Sequence, residues 1–123
     1  MATANELRDI SRLSIERWNA RDFDAFYAVF HPGVVYHAPD GSEVHGVDAL
    51  RARYDAALAW CPDLTITQVL CVADPEMGLL ASIQVEKGTA TNHEPFGFEG
   101  MTFFRVGSDG RVAESWENIR SLA

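Results

Sequence analysis

The sequence contains few cysteines, few basic residues and no long hydrophobic run. Cys61 and Cys71 are too few for a disulfide framework or a structural zinc site, so we expect both to be buried free thiols. Lys and Arg number 10 against 18 Asp and Glu, without any basic cluster, so we expect no nucleic-acid partner. No apolar stretch suits a membrane span, and the segment MATANELRD lacks the pattern of a secretory signal. We therefore expect a cytoplasmic protein that does not bind membranes.

The chain also lacks repeats, low-complexity tracts and linkers, so its 123 residues predict a single domain over 1–123. Hydrophobic residues make up 47% and charged residues 23%, which is typical of a folded globular protein. The four histidines have no spacing typical of metal ligands, and neither a GxGxxG motif nor a phosphate-binding loop is present. We expect no metal and no cofactor.

The first half of the sequence predicts helices. Over residues 5–19, Leu7, Ile10, Leu13 and Trp18 recur near one stripe at helical spacing, with charged residues between them. Comparable patterns and breakers predict a helix over 22–30, a strand over 34–38, a loop over 39–46 and a helix over 47–60.

The second half predicts strands, because β-branched and aromatic residues alternate there between turn signals. Four antiparallel strands are the simplest interpretation, lying within 64–74, 77–90, 96–106 and 110–120. The combination predicts an α+β fold in which three N-terminal helices pack on a curved, mostly antiparallel sheet. The resulting cone-shaped barrel encloses an apolar pocket.

Three segments resemble a known family: NARDFDAFYAVFHPGVVYHAPDGSEVHG, the helix VDALRARY and the closing GSDGRVAESWENI. They are similar to the SnoaL-like polyketide cyclases, within the superfamily that also holds ketosteroid isomerases, limonene-type epoxide hydrolases and the nuclear transport factor fold. The resemblance covers nearly the whole chain and implies the cone-shaped fold. The three catalytic positions of the ketosteroid isomerases fall on Ala38, Ser14 and Thr102, which implies that steroid isomerisation by that mechanism is absent.

The other two family patterns suggest candidate catalytic residues. The arginine and two aspartates of the epoxide hydrolases fall on Gln84, Glu86 and Glu117, and their water-holding tyrosine falls on Tyr36. The cyclases often carry an acid/base residue directly after a tryptophan of the last strand, and that pattern also falls on Glu117. The resemblance therefore implies an acid/base site at Glu117, Glu86, Tyr36 and Gln84.

Strand parity leaves two faces open for Glu86, because side chains alternate with a period of two. If Glu86 faces the cavity, so do Gln84, Ser82 and Leu80. The opposite set, Ala81, Ile83, Val85 and Lys87, is more apolar and by pattern alone is the slightly better candidate for burial. The family resemblance favours the first choice.

The predicted function is acid/base chemistry on a small hydrophobic molecule, polyketide-like or terpenoid-like, by cyclisation or by water addition as in epoxide hydrolysis. A binding or dimerisation module without catalytic activity is the alternative. The aromatic content and strand parity predict a substrate-binding set, which comprises Trp18, Tyr27, Phe30, Trp60, Phe98, Thr102 and Phe104. Met101 and Phe103 lie on the opposite face of the same predicted strand and suggest a homodimer interface.

Overall fold

A computed structural model describes residues 2–121, so residues 1, 122 and 123 of the predicted domain lie outside the described residues. Three helices and six strands are present within that range. The helices are α1 (Ala4–Asn19), α2 (Phe23–Tyr27) and α3 (Val47–Trp60). The strands are β1 (Phe30–His37), β2 (Glu43–His45), β3 (Thr65–Asp74), β4 (Leu79–Thr89), β5 (Pro95–Val106) and β6 (Val112–Ser121).

The strands form one curved sheet in the order β2-β1-β6-β5-β4-β3. Every neighbouring pair is antiparallel except β1 and β6, which run parallel. In the described part of the chain the sheet does not close on itself, since β2 and β3 form its two edges. The predicted α+β architecture, with three helices on a mostly antiparallel sheet, is confirmed.

Helix α1 packs along β3 on the inner face of the sheet. Its start is fixed by a capping box, in which Thr3 and Glu6 exchange hydrogen bonds between side chain and backbone. At its other end the Trp18 indole donates to the Leu64 carbonyl at 2.9 Å, and the Asn19 side-chain amide exchanges two hydrogen bonds with the Ile66 backbone. These contacts fix the distance between the helix and the edge of the sheet.

Two predicted elements differ from the structure. The predicted helix over 22–30 ends at Tyr27, and Phe30 instead begins β1 and pairs with Val112 of β6. Since proline has no N–H to donate, the following His31-Pro32-Gly33 segment coincides with a register irregularity in this strand. The predicted loop over 39–46 contains the short strand β2, which pairs with β1 because Gly41, with φ of 86°, reverses the chain.

The two faces of the sheet differ in what covers them. The helices cover the inner face, which carries the buried core of the molecule. The outer face is uncovered in this single chain, and Met101 and Phe103 there are 43% and 46% exposed. Among residues 2–121, no helix is both long enough and apolar enough to cross a membrane.

Candidate active site

A cavity of about 250 Å³ lies between α1, α3 and the inner face of the sheet. Its walls are mainly apolar and rich in aromatic rings, with a polar strip along β4. Trp60 and Ile119, which are about half exposed, lie at its opening. Every predicted catalytic residue lies in its wall, namely Tyr36, Gln84, Glu86 and Glu117. The cavity therefore collects these four groups from three different strands.

Strand β4 turns its polar face inward. Leu80, Ser82, Gln84 and Glu86 are all buried, whereas the alternate residues are only partly covered. The more apolar set that alternation alone favoured thus lies on the outer face. Polar residues can be buried here because hydrogen bonds connect them, from Gln68 to Ser82 at 3.1 Å and from the Gln84 amide to Glu86 Oε2 at 3.1 Å.

Glu86 and Glu117 lie on opposite sides of β5, on β4 and β6, and both line the cavity. Glu86 is paired in register with Phe98, and Glu117 with Thr102, so Gly100 lies midway between them on the same face. A Cβ atom at Gly100 would stand 3.3 Å from Glu86 Oε2. The absence of a side chain at Gly100 therefore allows the Glu86 carboxylate to lie close to the backbone of β5.

Glu117 is held by a chain of hydroxyl groups. The Tyr36 hydroxyl donates to Glu117 Oε1 at 2.6 Å, a short distance typical of a hydrogen bond to a charged acceptor. The Tyr54 hydroxyl in turn donates to Tyr36, and the two rings pack edge to face with centroids 5.7 Å apart. This chain orients Glu117 from the side opposite Glu86.

The electrostatics of the cavity favour protonated carboxyl groups. Burial, and after it the charge of Glu117, raises the pKa of Glu86 to about 8, against the hydrogen bond from Gln84. Burial likewise raises the pKa of Glu117, while the Tyr36 hydrogen bond and the charge of Arg53 lower it. Burial also raises the pKa of Tyr36 and Tyr54, which stay neutral. At neutral pH the carboxylate pair therefore retains a proton that two exposed glutamates would have lost.

Most of the predicted substrate-binding residues also line the cavity: Trp18, Phe30, Trp60, Phe98, Thr102 and Phe104. Tyr27 does not. It is buried in α2 against the ring of Phe26, and the Arg51 guanidinium lies 5.0 Å from its ring centroid. Adjacent side chains of a helix point about 100° apart, and in α2 it is Phe26 rather than Tyr27 that faces the cavity.

Helices α1 and α3 contribute cavity residues that the sequence analysis missed. Ser11 and Ser14 are buried on α1, and the Ser11 hydroxyl accepts a hydrogen bond from Gln68 at 2.7 Å. Tyr54 and Arg53 line the cavity from α3. Leu50, Tyr54 and Leu58 recur at steps of four, a spacing that could have indicated the face of this helix that packs on the core.

His37 and the two cysteines do not line the cavity. His37 contacts Glu114 at 2.7 Å and stacks on Trp116, with ring centroids 5.1 Å apart. Cys61 is buried as expected, whereas Cys71 is only partly buried because it lies near the edge of the sheet on β3. Residues 2–121 contain no group of three or more His, Cys, Asp or Glu side chains placed to hold a metal ion.

Comparison with known proteins agrees with this architecture. The model of the SnoaL-like domain family matches residues 12–115, which is most of the chain. The chain belongs to the SnoaL-like family. No curated protein sequence matches it.

Solved structures show the same fold over nearly the whole SnoaL-like chain. AclR, a candidate hydroxylase from Streptomyces galilaeus, is 17% identical with a TM-score of 0.84, covering 98% of this chain and 82% of AclR. IdmH, a candidate polyketide cyclase from Streptomyces antibioticus, is 23% identical with a TM-score of 0.80 over 92% and 91%. RV0760c from Mycobacterium tuberculosis, solved with estradiol-17beta-hemisuccinate, is 21% identical with a TM-score of 0.80 over 94% and 93%. At these identities the likeness establishes the fold alone.

Proposed function

We propose that this SnoaL-like domain is an acid/base enzyme without a cofactor, acting on a small hydrophobic organic molecule. The observation that carries the proposal is the placement of Glu86 and Glu117 in one aromatic cavity, with hydrogen-bonding partners and raised pKa values. Catalytic acids and bases need pKa values close to the working pH, and burial of two carboxyl groups together supplies them. The cavity volume of about 250 Å³ suits a mono- or bicyclic substrate.

In the proposed roles, Glu117 is the base and Glu86 is the acid. Glu117 has the Tyr36 hydroxyl donor and the charge of Arg53 to stabilise its ionised form, whereas Glu86 has only the neutral Gln84 amide as a donor and is therefore assigned the proton. Tyr36 and Gln84 flank the pair and orient water or a substrate oxygen. The pair thus presents a base and an acid side by side, as required for concerted proton transfer.

For a polyketide-like substrate the reaction is an aldol cyclisation. Glu117 removes a proton from the carbon next to a carbonyl, and Glu86 gives its proton to that carbonyl oxygen, which forms an enol. The enol carbon then bonds to a second carbonyl carbon of the same molecule. The enol proton returns to Glu86, the new alkoxide takes the proton from Glu117, and both residues regain their starting states.

For a terpenoid epoxide the same groups add water. Glu117 takes a proton from water held by Tyr36 and Gln84, and the water oxygen bonds to an epoxide carbon. The carbon–oxygen bond of the ring breaks, and its oxygen takes the proton of Glu86. A proton then passes from Glu117 to Glu86 and restores the pair. The names of IdmH and of the steroid complex of RV0760c support a substrate of this hydrophobic kind.

The test measures proton removal from carbon directly. The probe is 2-tetralone, a flat bicyclic ketone, whose exchange of α-hydrogen for deuterium in D₂O is followed by proton NMR. We expect the wild type to accelerate exchange over buffer, and Glu117→Gln to lower the enzymatic rate by about 100-fold or more. Glu86→Gln should lower it to a similar degree.

Glu94→Gln is the matched control, because Glu94 is an exposed residue in the turn between β4 and β5. It should exchange tetralone at the wild-type rate. Full exchange activity in both cavity variants would refute the acid/base assignment. Tetralone binding without accelerated exchange would instead favour a binding module of the same fold.

We also propose that the domain forms a homodimer through the outer face of the sheet. An apolar patch crosses four strands there in register, formed by Leu70, Val72, Ala81, Ile83, Met101, Phe103 and Trp116. Most isolated domains expose only small apolar patches, and a two-fold dimer needs only one self-complementary face.

The dimer is tested by sedimentation velocity at micromolar concentration. Phe103→Asp places a charge at the centre of the patch and should convert a dimer to a folded monomer. Met77→Asp, at an exposed methionine in the turn before β4, should leave the dimer intact. A monomeric wild type would refute the proposal.

A further inference from the structure

The cavity wall contains more acidic than basic side chains. Two carboxylates, Glu86 and Glu117, face it, and neither forms an ion pair with any of residues 2–121. Arg53 is the cation in the wall, and its guanidinium donates to Asp40 at 3.1 Å and to the Ser42 hydroxyl at 3.0 Å. The direct ion-pair partner of Arg53 is therefore Asp40, and Arg53 acts on Glu117 only through its charge, without an ion pair.

Each carboxyl group of the pair accepts fewer hydrogen bonds than its ionised form could. Glu86 Oε2 accepts one hydrogen bond from Gln84, and Glu117 Oε1 accepts one from Tyr36, whereas an ionised carboxylate can accept about four. Thr102 lies on the cavity face of β5, paired in register with Glu117, and it is only 6% exposed. Its hydroxyl has no hydrogen-bond partner in the described part of the chain. A buried hydroxyl without a partner is costly unless a ligand satisfies it.

The apolar part of the wall suits a cation as well as a hydrocarbon. The rings of Trp18, Phe26, Phe30, Phe98 and Phe104 line the cavity together with Tyr36 and Tyr54. Aromatic faces attract ammonium groups, and the attraction is strongest where water is excluded. A group with several N–H donors and a positive charge thus finds acceptors, negative charge and aromatic faces in one place.

We propose that this cavity binds small hydrophobic primary amines as their ammonium ions, with the ammonium group between Glu86 and Glu117. An ammonium group has three donors, enough for one hydrogen bond to each carboxylate and one to the Thr102 hydroxyl. The cavity of about 250 Å³, which both glutamates and Thr102 line, provides room for it. This inference goes beyond the proposed function, because it requires the carboxylates but no turnover.

Binding of the ammonium ion releases a proton from the protein. The amine arrives as the ammonium ion at neutral pH, and both glutamates must be ionised to hold it, so the proton shared by the pair is released to the buffer. The other ionisable groups facing the pair are Tyr36 on β1 and Tyr54 and Arg53 on α3. The tyrosines stay neutral because burial raises their pKa values, and a guanidinium group does not lose its proton in proteins, so none of these three groups supplies the released proton. Affinity for the amine should therefore fall as the pH is lowered and the carboxylates hold their protons more firmly.

The test compares three probes of similar shape by calorimetry at pH 7.5: 2-phenylethylamine, 2-phenylethanol and 3-phenylpropionate. We expect the amine to bind at least about tenfold more tightly than the alcohol, and the anion to bind weakest. Titrations in phosphate and in HEPES, neither of which is a primary amine, should differ in enthalpy by the amount that corresponds to proton release from the protein.

Glu86→Gln and Glu117→Gln should each remove the preference for the amine while alcohol binding persists, which also shows that the variants are folded. Glu94→Gln should bind all three probes as the wild type does. Equal or tighter binding of the alcohol, no amine binding, or a preference that survives both cavity variants would overturn the inference. If the wild type did not accelerate tetralone exchange, the proposed function would be refuted, but these binding results would not change. The two proposals therefore fail independently.

Discussion

The raised pKa of Glu86 makes a specific prediction about stability. An unfolded chain exposes this glutamate with a pKa near 4.5, whereas in the folded cavity burial and Glu117 raise its pKa to about 8. Between these values the folded state holds a proton that the unfolded state has lost. Folding stability from this group is therefore fully present below about pH 4.5 and is lost as the pH rises to about 8.

The magnitude follows from the two values. The difference between about 8 and 4.5 corresponds to about 4 to 5 kcal/mol in the free energy of unfolding, and most of it is lost between pH 5 and pH 9. Glu86→Gln keeps the shape and the hydrogen-bonding capacity of the side chain but has no charge to bury. The variant should therefore gain about 3 to 4 kcal/mol over the wild type on going from about pH 5 to pH 9.

The assay is urea unfolding followed by circular dichroism at several pH values between 5 and 9. Wild-type stability should fall across this range more steeply than that of Glu86→Gln. Glu94→Gln removes an exposed glutamate and should follow the wild-type curve. Parallel pH dependences for the wild type and Glu86→Gln would show that Glu86 does not titrate inside the cavity, and would remove the electrostatic basis of the proposed site.

Two further predictions concern the neighbours of the pair and are measured by carbon-13 NMR titration of the glutamate carboxyl groups. Tyr36→Phe removes the hydrogen bond at 2.6 Å that lowers the pKa of Glu117, so that pKa should rise further, and an unchanged value would contradict the assigned contact. Gly100→Ala adds a methyl group 3.3 Å from Glu86 Oε2, which should displace the carboxylate from its amide donor and raise its pKa. Gly33→Ala, in β1 and lined only by a histidine ring at 3.4 Å, should leave the titration of Glu86 unchanged. If Glu86 titrated identically in both glycine variants, the missing side chain at Gly100 would have no influence on its carboxyl group, and this prediction would be refuted.

The sequence by itself determined the elements whose local pattern is strong. The helix predicted over 47–60 has the bounds of α3, because a glycine precedes it and Pro62 follows it closely. The four strands of the second half are found within one or two residues of their predicted bounds, since alternation and turn residues act locally. The α+β class follows from the order of these elements.

Tertiary structure decided which face of each element became the cavity. On β4 the apolar residues Ala81, Ile83 and Val85 lie outward and the polar ones lie inward. The sequence of one strand cannot specify which of its faces is buried, because the side chains of both faces recur every two residues. The helices that cover the inner face decide it.

Only long-range pairing could place the candidate site. Tyr36 and Glu117 are 81 positions apart in the chain, and their hydrogen bond exists because β1 and β6 run parallel in one register. The hydrogen bond from Tyr54 of α3 to Tyr36, and the position of Gly100 beside Glu86, likewise depend on which strands lie side by side. Burying Glu86 is tolerable because its raised pKa keeps it protonated at neutral pH and because Gln84 supplies a hydrogen-bond donor. A sequence pattern with a period of a few residues cannot encode surroundings of this kind.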